Sequence, residues 1–149
     1  MELKRARAIA EKLVEDLAPY CERIEIAGSI RREKAEVKDI EIVAIPGDFI
    51  EFGLASAVGD ATRVKDGDRY KQIILTEGIK LDLFLVRPPA QWGVLFTLRT
   101  GPAAFSHKIV TQKRYGGLLP SDCQIENGQV WRNGVSIPMP EEDDFLKLL

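Results

Sequence analysis

Asp39 and Glu41 are separated only by Ile40 and followed by Ile42. In an extended strand that spacing puts both carboxylates on one face and both isoleucines on the other. Neighbouring carboxylates repel, so the pair calls for a cation or a proton. Further along, Lys80-Leu81-Asp82-Leu83-Phe84-Leu85 sets one acid in an apolar run. Burying that Asp without a partner is costly, and the plain alternative is an edge strand with Asp82 in water. If the two strands lie side by side, Asp39, Glu41 and Asp82 converge as three oxygen donors. Such a hard set suits magnesium or manganese near a nucleotide's phosphates. Upstream lie Gly28-Ser29 and then Arg31-Arg32. Glycine lets a phosphate approach the backbone, and a serine hydroxyl and an arginine fork add directed donors at a helix start. Out of context, Gly-Ser is also common in ordinary turns.

These residues need a sheet to hold them, and the pattern supplies one. Leu3, Ile9, Ala10, Leu13, Val14 and Leu17 recur at helical spacing until Pro19. Residues 23–27 alternate as a strand running into Gly28, with a helical turn over 30–32, and residues 37–45 alternate again before Pro46-Gly47. Residues 49–58 read as a helix. Strands follow over 62–64, 70–75 and 79–86, joined by Asp66-Gly67-Asp68 and Thr76-Glu77-Gly78. After Pro88-Pro89 the spacing predicts helices over 90–98 and 102–114, the second with Pro in its first turn and stopped by Gly116-Gly117. Asn127-Gly128 and Asn133-Gly134 are hairpin signals, and a last helix starts near Pro140 with Glu141, Glu142, Asp143 and Asp144 as its capping turn. The expected fold is α+β: a mixed, antiparallel-rich sheet with flanking helices over 1–88, then a smaller helix-plus-hairpin unit over 89–149. No internal repeat or long linker interrupts it.

With 149 residues, 45% hydrophobic and 30% charged, the chain has enough apolar material for a core and is neither collagen-like nor disordered in bulk. No apolar run reaches a membrane span, and the charged start MELKRARAIAEK is unlike a signal core, so a soluble, cytoplasmic protein is expected. Cys21 and Cys123 lack ligand or disulfide-framework spacing and read as free thiols. The net charge of −2 hides an asymmetry: residues 83–121 contain no acid, but hold Arg87, Arg99, Lys108, Lys113, Arg114 and the only histidine, His107. Elsewhere 16 basic residues face 23 acidic ones, a net −7. One half is basic and the other acidic, which suits contact with phosphates or is an ordinary solvated surface.

Taken in order, Gly28-Ser29-Ile30-Arg31-Arg32, Asp39-Ile40-Glu41 and Leu81-Asp82-Leu83 resemble the nucleotidyltransferase signature in its DNA polymerase β, or family X, form. Gly93-Val94-Leu95-Phe96 followed by Thr100-Gly101 is similar to the entry of that family's nucleotide-binding carboxy-terminal subdomain. Ile137-Pro138 through Glu142-Asp143-Asp144-Phe145 is similar to its closing segment, so the likeness spans essentially the whole chain. The family's amino-terminal lyase and helix-hairpin-helix regions have no counterpart in these residues.

The resemblance implies a nucleotidyltransferase-type palm over 1–88 and a nucleotide- and template-binding subdomain over 89–149. Asp39, Glu41 and Asp82 would ligate two Mg²⁺ ions, for which Mn²⁺ can substitute, and Asp82 would take the proton of the attacking 3′ hydroxyl. Gly28, Ser29 and Arg32 would hold the β and γ phosphates. Leu98, Arg99, Thr100 and Gly101 would line the sugar, Ser106 and His107 would face the base or template, and Lys108, Lys113 and Arg114 would meet nucleic-acid phosphates. His107 also reads as a plain surface imidazole, and Trp92 and Trp131 as packing residues. The implied activity is that of a monomeric DNA polymerase acting on a dNTP, or an NTP, and a primer-template or gapped duplex, in gap filling or repair. Two departures stand out: Glu41 occupies the position of a usual Asp, and Leu98-Arg99 replace two aromatics, which points to weaker deoxyribose selection. Alternatives from the residues are transfer to RNA or protein, and a non-catalytic nucleotide-binding module.

Overall fold

A computed structural model describes residues 1–149 and divides them into two compact units, Met1–Val86 and Arg87–Leu149. The break falls two residues before the boundary expected from Pro88-Pro89. In the first unit, α1 (Leu3–Leu17) leads through a 3-10 turn at Ala18–Tyr20 into β1 (Cys21–Ala27). A single helical turn, α2 (Gly28–Arg31), and a loop precede β2 (Asp39–Pro46); α3 (Ile50–Val58), β3 (Thr62–Asp66), β4 (Tyr70–Ile74) and β5 (Lys80–Leu85) follow. The five strands lie in the order β1-β2-β5-β4-β3. All neighbours are antiparallel except β2 and β5, which run parallel, so the sheet is mixed.

One face of this sheet is the core. Ile40, Ile42 and Ala44 of β2, Leu81, Leu83 and Leu85 of β5 and Ile73 of β4 are buried there with Ala6, Ala10, Leu13 and Leu17 of α1 and Ile50, Leu54 and Val58 of α3. The helical spacing of the α1 residues forces one apolar stripe, and alanines at 6 and 10 let the helix lie close to the sheet. Leu3 N donates to Ala35 O and Val37 N to Met1 O, tying the start of the chain to the loop that feeds β2. Because the strand period is two, the opposite face must take Asp39, Glu41 and Asp82.

The second unit contains α4 (Trp92–Thr100), α5 (Ala103–Val110), a three-stranded antiparallel sheet of β6 (Cys123–Glu126), β7 (Gln129–Arg132) and β8 (Val135–Ile137), and α6 (Glu142–Leu148). Val94, Ile109, Leu119, Cys123, Val130, Met139 and Phe145 form its core. Asn127 and Asn133 take positive φ ahead of Gly128 and Gly134, the backbone that tight hairpins need. The acidic run opens α6 as expected: Glu141 N donates to Asp144 Oδ2 at 2.9 Å.

The helix expected over 102–114 is shorter. α5 ends at Val110, Thr111 is extended, and a separate 3-10 turn covers Lys113–Tyr115. Thr111 Oγ1 donates to the His107 carbonyl at 2.6 Å, and the Thr111 carbonyl accepts from Leu119 N, so backbone groups that a longer helix would use are taken. Gly117 packs against that carbonyl, where a Cβ would stand 1.9 Å away. No helix in the structure is long and apolar enough to cross a membrane.

Candidate active site

The parallel pairing of β2 and β5 aligns Asp39 with Lys80, Glu41 with Asp82 and Ile42 with Leu83. Residues in register across a parallel pair point to the same face, so Glu41 and Asp82 are side-by-side neighbours and Asp39 lies one step along the same row. Asp82 is in a central strand and only 7% exposed, which sets aside the edge-strand alternative. Lys80 Nζ stands 3.6 Å from Asp39 Oδ1, a half-exposed ion pair at the end of the row.

Asp82 has two protein donors. Tyr70 Oη donates to its Oδ1 at 2.5 Å, and Gln72 Nε2 reaches the same oxygen at 3.2 Å. Both donors come from β4, where Gln72 pairs with Asp82 and Tyr70 with Phe84. Tyr70 is stacked on Phe84 with ring centroids 5.0 Å apart. These partners were not singled out from sequence, although the period of two that buries Ile73 also puts Tyr70 and Gln72 on the acid face.

β1 brings the other piece. Ala27 pairs with Glu41, so the chain leaves β1 beside that carboxylate and turns at once into α2. Gly28 has φ +63°, and its α-carbon lies against the Glu41 side chain. Ser29 follows it, and Arg32 closes the turn, its N–H donating to Gly28 O. With only four residues α2 carries little macrodipole, so an anion at this corner would depend on Ser29 and Arg32 more than on a helix end. Arg7, on α1, is held by the Ile30 carbonyl at 3.4 Å and by Glu33 at 3.7 Å, while Lys4 and Arg5 are exposed.

The donor chemistry fits a divalent cation: three carboxylates on one sheet face, two in register, and no softer ligand among them. In their present rotamers no three acidic, His or Cys side chains enclose a common point. Asp39 is turned to Lys80, Glu41 lies over Gly28, and Asp82 is held by Tyr70 and Gln72.

In the second unit, Leu98, Arg99 and Thr100 form the last turn of α4, and Gly101 breaks it with its α-carbon against the Phe105 ring. Leu98 packs against the second core, and its carbonyl accepts from Ser106 Oγ at 2.7 Å. Arg99 is exposed and Thr100 buried. His107 and Lys108 are exposed in the last turn of α5, whereas Lys113 and Arg114 belong to the separate 3-10 turn. Arg114 Nη2 donates to the Ser121 carbonyl at 2.6 Å, on the wall of a polar cavity of about 540 Å³ that Trp131 also lines. Trp92 is buried and stacked on Phe96, the packing role expected of it.

A scan against protein-family models finds no match to this chain, and a search of curated proteins finds none either.

Proposed function

We propose that the chain is a nucleotidyltransferase, and specifically a minimal family X-like DNA polymerase that adds a nucleoside monophosphate from a dNTP to a primer 3′ hydroxyl. The observation that carries this reading is the alignment of Glu41 with Asp82 across the parallel strands, beside the Gly28-Ser29 turn. A row of acids adjoining a glycine turn with a serine and an arginine is an arrangement able to hold a triphosphate at one end and a reacting oxygen at the other.

In this reading Asp39, Glu41 and Asp82 hold the divalent cations. Held there, divalent cations would supply Lewis-acid neutralisation of phosphate and pyrophosphate charge. Ser29 and Arg32 bind the β and γ phosphates. Asp82 accepts the 3′ hydroxyl proton on Oδ2, because its Oδ1 is engaged by Tyr70 and Gln72. The 3′ oxygen forms a bond to the α-phosphorus, the bond to the bridging oxygen breaks in line, and pyrophosphate leaves. The basic unit supplies Lys108, Lys113 and Arg114 for primer-template phosphates, and Leu98 to Gly101 for the sugar. Cys21 and Cys123 are free thiols, in keeping with a cytoplasmic setting.

The deciding experiment offers labelled primer, gapped duplex, template-free strand and transfer RNA, each with Mg²⁺ and either dNTPs or NTPs. Templated extension of the gapped duplex is the expected result. Extension of RNA alone would move the acceptor class. Absence of transfer to any acceptor, together with absence of nucleotide binding, would overturn the reading.

A further inference from the structure

We propose that Tyr70 is a positioning residue for Asp82, fixing which carboxylate oxygen is offered to the cation and to the attacking hydroxyl. The inference rests on the reading of Asp82 given above. Gln72 Nε2 donates to Tyr70 Oη at 2.9 Å, while Tyr70 Oη stands 2.5 Å from Asp82 Oδ1. A phenol has a single proton, and an amide NH₂ group can only donate. The Tyr70 oxygen therefore accepts from Gln72, and its proton is committed to Asp82. Gln72 also donates to Oδ1 at 3.2 Å, which closes a three-member ring of hydrogen bonds around one oxygen.

The phenol is held in place as well. Its ring stacks on Phe84 at 5.0 Å with planes 16° apart, and Lys65 Nζ lies 5.5 Å from the ring centre on the strand beyond. A free aspartate turns broadly about its terminal torsion, so either oxygen can face a ligand. Here two donors on Oδ1 set the plane of the carboxylate and leave Oδ2 as the oxygen with unclaimed acceptor capacity. Asp82 thus comes to its task already oriented, and loss of the phenol hydroxyl frees that rotation.

The test is Tyr70→Phe, which keeps the ring and its stack but removes the hydroxyl. Binding of Mn²⁺ alone is measured by electron paramagnetic resonance on the full chain, beside primer-extension kcat and a thermal melt. Expected is a roughly ten- to a hundredfold weaker Mn²⁺ affinity, typical when a partner orienting a metal ligand is removed, with a parallel fall in kcat. Gln72→Leu, which removes the second donor to Oδ1 and the donor that holds the phenol oxygen, is expected to lie between that variant and wild type, and it carries the test if Tyr70→Phe does not fold. A lower melting temperature with unchanged Mn²⁺ affinity and kcat would overturn the proposal and leave Tyr70 a packing residue. Asp82→Asn separates the two readings. If it binds Mn²⁺ as wild type does, the acid site itself is wrongly assigned; if it loses Mn²⁺ while Tyr70→Phe does not, only the role of Tyr70 falls.

Discussion

Glu41 lies across the α-carbon of Gly28, so closely that a Cβ on Gly28 would stand 2.5 Å from Glu41 Oε2 and 2.7 Å from its Cδ. One of the three acids of the proposed cation site is thus packed on the turn proposed to hold the phosphates. Gly28 also has φ +63°, in the left-handed region that costs other residues about 1 kcal/mol.

Gly28→Ala is therefore expected to displace the Glu41 carboxylate and strain the turn together. Loss of about 1 to 2 kcal/mol in stability and of a hundredfold or more in transfer, roughly 2.7 kcal/mol, is expected from urea unfolding and extension kinetics. Full activity in a folded Gly28→Ala protein would show that neither the turn nor Glu41 takes part.

The acids themselves give a second expectation. Asp39→Ala and Asp82→Asn should abolish transfer and leave the fold intact, since each removes a charge from a row of like charges. In Asp82→Asn the amide oxygen still accepts from Tyr70 and Gln72. Asp82→Ala would strand those two donors and should cost about 1 to 3 kcal/mol in stability as well. Excess EDTA should do the same to wild type; activity that survives it would sink the two-cation reading. Glu41→Asp withdraws the carboxylate by one methylene, roughly 1.5 Å, from its seat on Gly28. The row keeps its charge, so activity within about tenfold of wild type, roughly 1.4 kcal/mol, is expected.

Much of this arrangement was legible from the sequence, because strands with a strict period of two announce their faces. Ile40 and Ile42 had to be core, and Asp39 and Glu41 had to share the other side; the structure has them so. The register between β2 and β5 was not legible, since their parallel pairing depends on a crossover that no local pattern encodes. For the same reason the Tyr70 and Gln72 contacts to Asp82 were missed: they cross from one strand to another. The length of α5 was misread because Thr111 and Gly117 decide it through a contact six residues apart, whereas helix propensity is local. Lys71 was hidden as well, being a charged residue at a core-facing position.

That lysine supplies the third expectation. Lys71 is 2% exposed and pairs with Glu51 at 2.8 Å and Asp66 at 2.7 Å. Burial works against its charge, but the hydrogen bonds to Asp66 and Glu51 outweigh it and hold its pKa above 10.5. The hydrogen bond from Lys71 in turn holds Asp66 below 3.8. The Asp66 contribution to stability is present above its unfolded pKa and lost as pH falls through the lowered folded value. The Lys71 contribution is present below 10.5 and lost as pH rises through the raised one. Melting temperatures of wild type should thus fall more steeply at both extremes than those of Lys71→Met. At pH 7, Lys71→Met should cost less than about 1 kcal/mol, since its exposed partners regain water. Glu51→Ala with Asp66→Ala leaves the ammonium buried and unpaired, and should cost about 3 kcal/mol. Equal stability of the two variants would refute this account.

The last expectation concerns the sugar. From the sequence, Leu98 is expected to bear on ribose discrimination through its side chain. In the structure that side chain packs against the second core, and it is the Leu98 carbonyl, held by Ser106 Oγ at 2.7 Å, that the turn fixes in place. Arg99 is exposed and long, and offers no flat wall to a 2′ hydroxyl. On the proposal that this turn meets the sugar, selection of dNTP over NTP should be weak, within about a hundredfold, because the turn then opposes the extra hydroxyl with positioned backbone alone. Leu98→Ala should lower stability by about 1 to 2 kcal/mol and leave the dNTP:NTP ratio of kcat/KM unchanged. Ser106→Ala releases the Leu98 carbonyl and should reduce that ratio further with little loss of stability. The opposite pattern, a ratio that moves with Leu98→Ala and not with Ser106→Ala, would return discrimination to the side chain.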